Sequence, residues 1–158
     1  MDDENYELYE GEEILQGDLI ENFPVVKPPN KLETHNLVIL TQSCDIVNKK
    51  TSNILVAPYD EISSYPKDAK GYIVEVRKGR RFLQKYLPPC KLEGHSKEAL
   101  IVNFDEIWTV LLDEITSHVS SNERIRMRSP LREFISQAYA ISIMRVSTLE
   151  EIPITPRV

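Results

Sequence analysis

The stretch Asn36-Leu37-Val38-Ile39-Leu40-Thr41-Gln42 decides the fold. Its four apolar residues run unbroken and end in polar ones, whereas a half-buried strand would alternate with period two. A strand buried on both faces, and therefore central, is expected. Downstream, Asn53-Ile54-Leu55-Val56-Ala57-Pro58 reads as a second apolar strand that Pro58 closes. The irregular connection between them, residues 43–50, carries the Cys44 thiol and the Asp45 carboxylate. Upstream, Gln16-Gly17-Asp18-Leu19-Ile20 is a turn entering a first strand, and Phe23-Pro24-Val25-Val26 continues it. Pro24 implies an edge or a break, and Lys27-Pro28-Pro29-Asn30-Lys31 a loop.

Further along, Tyr72-Ile73-Val74-Glu75-Val76-Arg77 is rich in β-branched residues and predicts a strand, with Lys78-Gly79 turning a hairpin into Arg81-Phe82-Leu83. Ala99 to Phe104 predicts another buried strand, Trp108 to Leu111 a neighbouring one, and residues 112–119 a short helix. Arg124-Ile125-Arg126-Met127-Arg128 alternates strictly, so Ile125 and Met127 face one side and three arginines form a wet, basic face. Ser129-Pro130 is a helix start, a serine cap followed by a proline at the first helical position. That helix is expected over 129–146, with Leu131, Phe134, Ile135, Ala138 and Ile141 or Ser142 as its apolar stripe and Arg145 favouring its C-terminal dipole. The expected class is α+β in a single domain, residues 1–158, divided into an acidic lead (1–15), a β-rich body (16–128) and the helix (129–146).

Composition agrees with a packed globular chain. Of 158 residues, 41% are apolar and 28% charged, so a core that buries about two thirds of the unfolded surface is attainable. No apolar run approaches the ~20 residues of a membrane helix, and Met1-Asp2-Asp3-Glu4 is unlike a basic signal-peptide start, which points to the cytoplasm and to reduced cysteines. Residues 1–22 hold nine acids and no Lys or Arg. Removing those nine leaves 16 acids against all 19 bases, a net of +3, so a mildly basic body stands behind an acidic lead. The lead is expected to be a solvated segment, or else a screen over a basic surface.

Three constellations carry chemistry. Cys44 and Asp45 leave the end of the most buried strand, where functional loops are often mounted, and a nucleophilic Cys44 would need a base from His35, His95 or His118. Cys44, Cys90, His35 and His95 are of zinc-ligand type, but without a Cys-x-x-Cys pair no metal and no cofactor is expected. Arg77, Lys78, Arg80, Arg81 and Lys85, interleaved with Tyr72, Phe82 and Tyr86, form the most basic stretch, of the kind that holds phosphates and stacks bases; Arg124, Arg126 and Arg128 would extend it. The alternative is a solvated face paired with carboxylates.

The order of residues 16–20, Leu37 to Leu40 with its polar exit, and Ile54 to Pro58 resembles the start of the PemK/MazF family of toxin endoribonucleases over residues 16–58. The resemblance implies a small SH3-like β-barrel with attached helices, a homodimer, and metal-free RNA cleavage in a bacterial toxin-antitoxin or defence setting. That family sets an arginine beside the proline after its first strand, whereas here Phe23 precedes Pro24. Residues 41–45 and 129–146 also resemble an uncharacterised bacterial family. The leading expectation is a non-catalytic or weakly catalytic barrel domain that binds a protein or RNA through the basic residues and the Cys44 loop. An active endoribonuclease using Arg77, Arg80 or Arg81, and a structural subunit whose C-terminal helix packs on another chain, are the alternatives.

Overall fold

The computed structural model describes residues 3–119 and 123–144. Its strands are β1 (Tyr6–Tyr9), β2 (Leu19–Lys27), β3 (Lys31–Ile39), β4 (Asn53–Glu61), β5 (Gln84–Leu87), β6 (Leu100–Asn103), β7 (Trp108–Leu111) and β8 (Arg124–Met127). The helices are α1 (Ser43–Val47), α2 (Lys70–Arg77), α3 (Leu112–Val119) and α4 (Leu131–Met144). The architecture is α+β. One six-stranded antiparallel sheet has the order β2-β3-β4-β6-β5, with β7 also on β4, and it is not closed into a barrel. No helix among the described residues is long and apolar enough to cross a membrane.

β3 lies inside the sheet between β2 and β4, one strand from the centre expected for it, and its apolar run is buried on both sides. Val38 and Leu40 pack in one cluster with Leu131 and Ile135 of α4. Leu37 and Ile39 pack in the other, with Ile115 and Val119 of α3. At about 1.5–3 kcal/mol for each buried aliphatic side chain, these four residues contribute roughly as much as the whole net stability of a domain this size. β2 lies at the sheet's edge, where the ladder tolerates Pro24 opposite Thr34.

A second, two-stranded sheet pairs β1 with β8. It joins the larger one through Gly17 and Asp18: the Gly17 amide donates to the Ile39 carbonyl at 2.9 Å, while the Met127 amide donates to the Gly17 carbonyl at 3.0 Å. Gly17 has φ +84°, and a Cβ there would stand 3.0 Å from Met127 Cβ and 3.1 Å from Arg132 Cγ. Gly17→Ala should therefore cost about 2–4 kcal/mol, the left-handed backbone and the overpacking adding together. Chemical denaturation measures it, and a loss under about 1 kcal/mol would contradict this account.

Several expectations are corrected. Residues 72–77 form not a strand but most of α2, whose end at Lys78-Gly79-Arg80 is a Schellman turn. There the Gly79 amide donates to Val76 and the Arg80 amide to Glu75, with Gly79 at φ +68°. A positive-φ glycine serves a hairpin or a helix end equally well. β4 continues through Pro58, which sits where pairing on one flank passes from β7 (residues 53–56) to β6 (residues 59–61). Residues 43–47, expected to be irregular, form α1. α4 turns Leu131, Ile135 and Ser142 inward and leaves Phe134 and Ile141 exposed, while residues 145 and 146, including the expected Arg145 contact, lie outside the described residues.

The acidic lead is not simply solvated. Tyr6 of β1 is fully buried and its hydroxyl donates to the Pro88 carbonyl at 2.8 Å. Asp3 accepts from the Asn5 and Lys91 amides. Nor is the face bearing Arg124 and Arg126 wet: both arginines are buried, because the lead and Asp18 cover the side opposite Ile125 and Met127. Of the three arginines only Arg128 is exposed, 3.5 Å from Glu7.

Candidate nucleic-acid interface

The Schellman turn reverses the chain at the C-terminus of α2, so Arg77, Lys78, Arg80 and Arg81 are presented together, all exposed. The negative end of the helix dipole favours cations there. Arg77 stands over the Tyr86 ring at 5.7 Å and Arg81 over the Tyr72 ring at 4.9 Å, and Tyr72 stacks on Tyr65 at 5.7 Å. Two of the guanidiniums thus rest against aromatic faces. Burial first, and the neighbouring Tyr72 next, push the Tyr65 hydroxyl up to about 12. Burial also raises Tyr72, against the opposing pull of Arg81.

Arg80 is paired with Glu75 at 2.9 Å. Among the described residues, no carboxylate lies within 4.0 Å of Arg77, Lys78 or Arg81. Arg77 and Arg81 beside tyrosine rings, with Lys78 between them in the chain, form a surface that can neutralise phosphates and set bases against aromatic side chains. Lys85 of β5 is half-buried at its margin.

The remaining arginines serve another purpose. Asp18 is fully buried and accepts from Arg124 Nε at 2.8 Å and from Arg126 Nε and a terminal Arg126 nitrogen at 2.5 and 3.0 Å. Arg126 also donates to the Glu13 carbonyl at 2.8 Å, and Arg124 to the Gly11 carbonyl at 2.7 Å and to the Glu13 carbonyl. Tyr9 lies under both guanidiniums, 3.7 Å from that of Arg126. Burial opposes the Arg126 charge, but the hydrogen bonds and charge of Asp18 outweigh it and hold that group above its ordinary range. Residues 9–13 of the lead thus cover two buried arginines, through a ring and backbone carbonyls. No feature of the alternating sequence pointed to Asp18 as the partner.

Cys44 is exposed on α1, with Gln42 Oε1 at 3.7 Å and Asp45 Oδ1 at 3.9 Å from its sulfur. Asp45 pairs with Lys50 at 3.3 Å. The three imidazoles are held elsewhere: His35 by Glu33 and the Trp108 ring, His95 by Glu123, and His118 by the Glu21 carbonyl. Cys90 is buried, which raises its thiol and keeps it protonated. Cys44, Cys90, His35 and His95 are thus not brought together, and no cluster of three or more metal-ligating side chains occurs among the described residues.

Near His35, the hydrogen bond from Lys31 and then that from His35 pull the Glu33 carboxyl from 4.5 down to about 2. A depressed folded value means the stabilisation is complete above about pH 4.5 and is lost as pH falls through 2. Melting curves should therefore show Glu33→Gln less stable than wild type above pH 4.5, the gap closing toward pH 2. A gap independent of pH would refute this.

Compared with known proteins, the chain matches no protein-family model and no curated protein.

Proposed function

We propose that this chain binds single-stranded RNA through the turn at the end of α2, with Arg77, Lys78, Arg80 and Arg81 on the phosphates and Tyr72 and Tyr86 beside the bases. Support comes chiefly from one arrangement on one exposed turn, in which Arg77 and Arg81 stand over tyrosine rings and, like Lys78, have no carboxylate partner among the described residues. Arg124 and Arg126 take no part, since Asp18 occupies them. In this proposal the β2-β3-β4 meander, which includes most of the PemK/MazF-like residues 16–58, is the frame of an SH3-like barrel whose catalytic arginine has been lost. The setting would be a bacterial cytoplasm, in a toxin-antitoxin or defence system, and the protein would be non-catalytic or weakly catalytic there.

The test incubates labelled mixed-sequence RNA with purified protein in EDTA, reading both retention and cleavage, beside the triple variant Arg77→Ala, Arg80→Ala, Arg81→Ala. Retention without cutting, lost in the folded variant, is expected. Cutting lost in the same variant would instead make the turn a metal-independent endoribonuclease site. Neither retention nor cutting would overturn both.

A further inference from the structure

A groove of about 1060 Å³ runs between the β2-β3 hairpin and the β7-α3 segment. Leu37 and Val56 form its floor, and Val25 and Trp108 stand on its walls. Its apolar surface continues onto the hairpin tip, where Val26 and Leu32 pair directly across the strands and are 64% and 67% exposed. Exposed aliphatic side chains at that level, contiguous with a groove, mark an interaction surface.

The rim decides what kind of partner fits. Asp113 and Glu114 project from the first turn of α3 into the groove's lining, exposed and with no cation within 4.0 Å among the described residues. Just outside the lining, Lys27 lies over the Trp108 ring at 5.4 Å, and its charge is already shared between Glu33 at 3.6 Å and Glu106 at 3.4 Å. Carboxylates therefore outnumber cations around an apolar floor.

We propose that this groove docks a protein segment with a bulky apolar anchor flanked by basic side chains. The anchor enters between Val25 and Trp108, and the basic groups meet Asp113 and Glu114. The groove's lining includes none of Arg77, Lys78, Arg80, Arg81, Tyr72 or Tyr86, so the proposal does not depend on the turn assigned to RNA.

Trp108 is the one tryptophan of the chain, so its fluorescence reports on this groove. Wild-type protein is titrated with a synthetic peptide bearing a Leu-Leu-Phe centre and two lysines on each side. One control peptide has glutamates for the lysines, and another has serines for the apolar centre. A saturable Trp108 change with the lysine peptide is expected, at least about tenfold weaker with either control, because like charges repel and the buried apolar area is lost. Asp113→Lys with Glu114→Lys should reverse the preference toward the glutamate peptide. The milder pair Asp113→Asn and Glu114→Gln should abolish it, so a poorly folded reversal would not leave the question open. No saturable change, or an equal response to both charged peptides, would overturn the proposal. So would a Trp108 change that depends on protein concentration alone and accompanies dimers in sedimentation, which would give the groove to a second copy.

Discussion

Asp18→Ala will lower the free energy of unfolding by about 3–5 kcal/mol, a large part of the 5–15 kcal/mol available to a domain of this size. The reason lies in what is left behind. The Arg124 and Arg126 side chains are 3% and 5% exposed, and each has its Nε within 2.8 Å of an Asp18 oxygen. Without that carboxylate two guanidiniums stay desolvated, keeping only backbone carbonyls and the Tyr9 ring for compensation. Screening by solvent, which makes surface pairs worth little, does not apply at this burial. Because the same arginines tie Gly11 and Glu13 to β8, the lead should detach with them. Urea denaturation followed by circular dichroism measures the loss, and earlier proteolysis within residues 5–15 would report the detachment. Replacing all three members with apolar residues of similar volume should recover much of the stability, since desolvation of the charges is then avoided. A loss under about 1 kcal/mol for Asp18→Ala would show that the triad is dispensable.

The triple change Arg77→Ala, Arg80→Ala, Arg81→Ala should leave the fold intact and weaken binding of single-stranded RNA about tenfold to a hundredfold at low salt. Three exposed contacts at roughly 0.5–1 kcal/mol each give that range. Salt dependence is the sharper readout. Each phosphate neutralised on a single strand contributes about 0.7 to the slope of log K against log salt, so removing three should flatten it by about 2. The structural side effects are small: one exposed pair with Glu75 is lost, and Tyr72 and Tyr86 lose the guanidiniums above them. Anisotropy titrations at several salt concentrations give both numbers. An unchanged slope in a folded variant would remove this turn from the interface. The corresponding changes at Arg124 and Arg126 would instead act on stability, because their charges are spent on Asp18.

The basic cluster at residues 77–81 was legible from composition, but its form was not. Ile73, Val74 and Val76 favour strands, yet that preference spans only about 1 kcal/mol and yields to context. Burial of Val76, and the reach of Arg77 and Arg81 to Tyr86 and Tyr72, go with a helix ending in a left-handed glycine. The helical form gathers the cations at one turn, where a strand would have spread them along two faces. That His35, His95 and His118 do not serve Cys44 was likewise invisible, since each is held by a partner elsewhere in the fold.

Features that rest on patterns within a dozen residues were determined by the sequence alone. The unbroken apolar run of β3 requires cover on both faces, the prolines at 24, 28 and 29 mark an edge strand and its turn, and residues 112–119 and the segment after Pro130 form helices. Tertiary structure alone decided which charges are available. Alternation in β8 shows that Arg124 and Arg126 share a side, but whether water or protein meets that side depends on Asp18, 106 and 108 residues away, and on the path of the lead. A local pattern sets direction, whereas burial depends on what the rest of the chain brings there, and here it turned two apparent binding arginines into the core's ionic anchor.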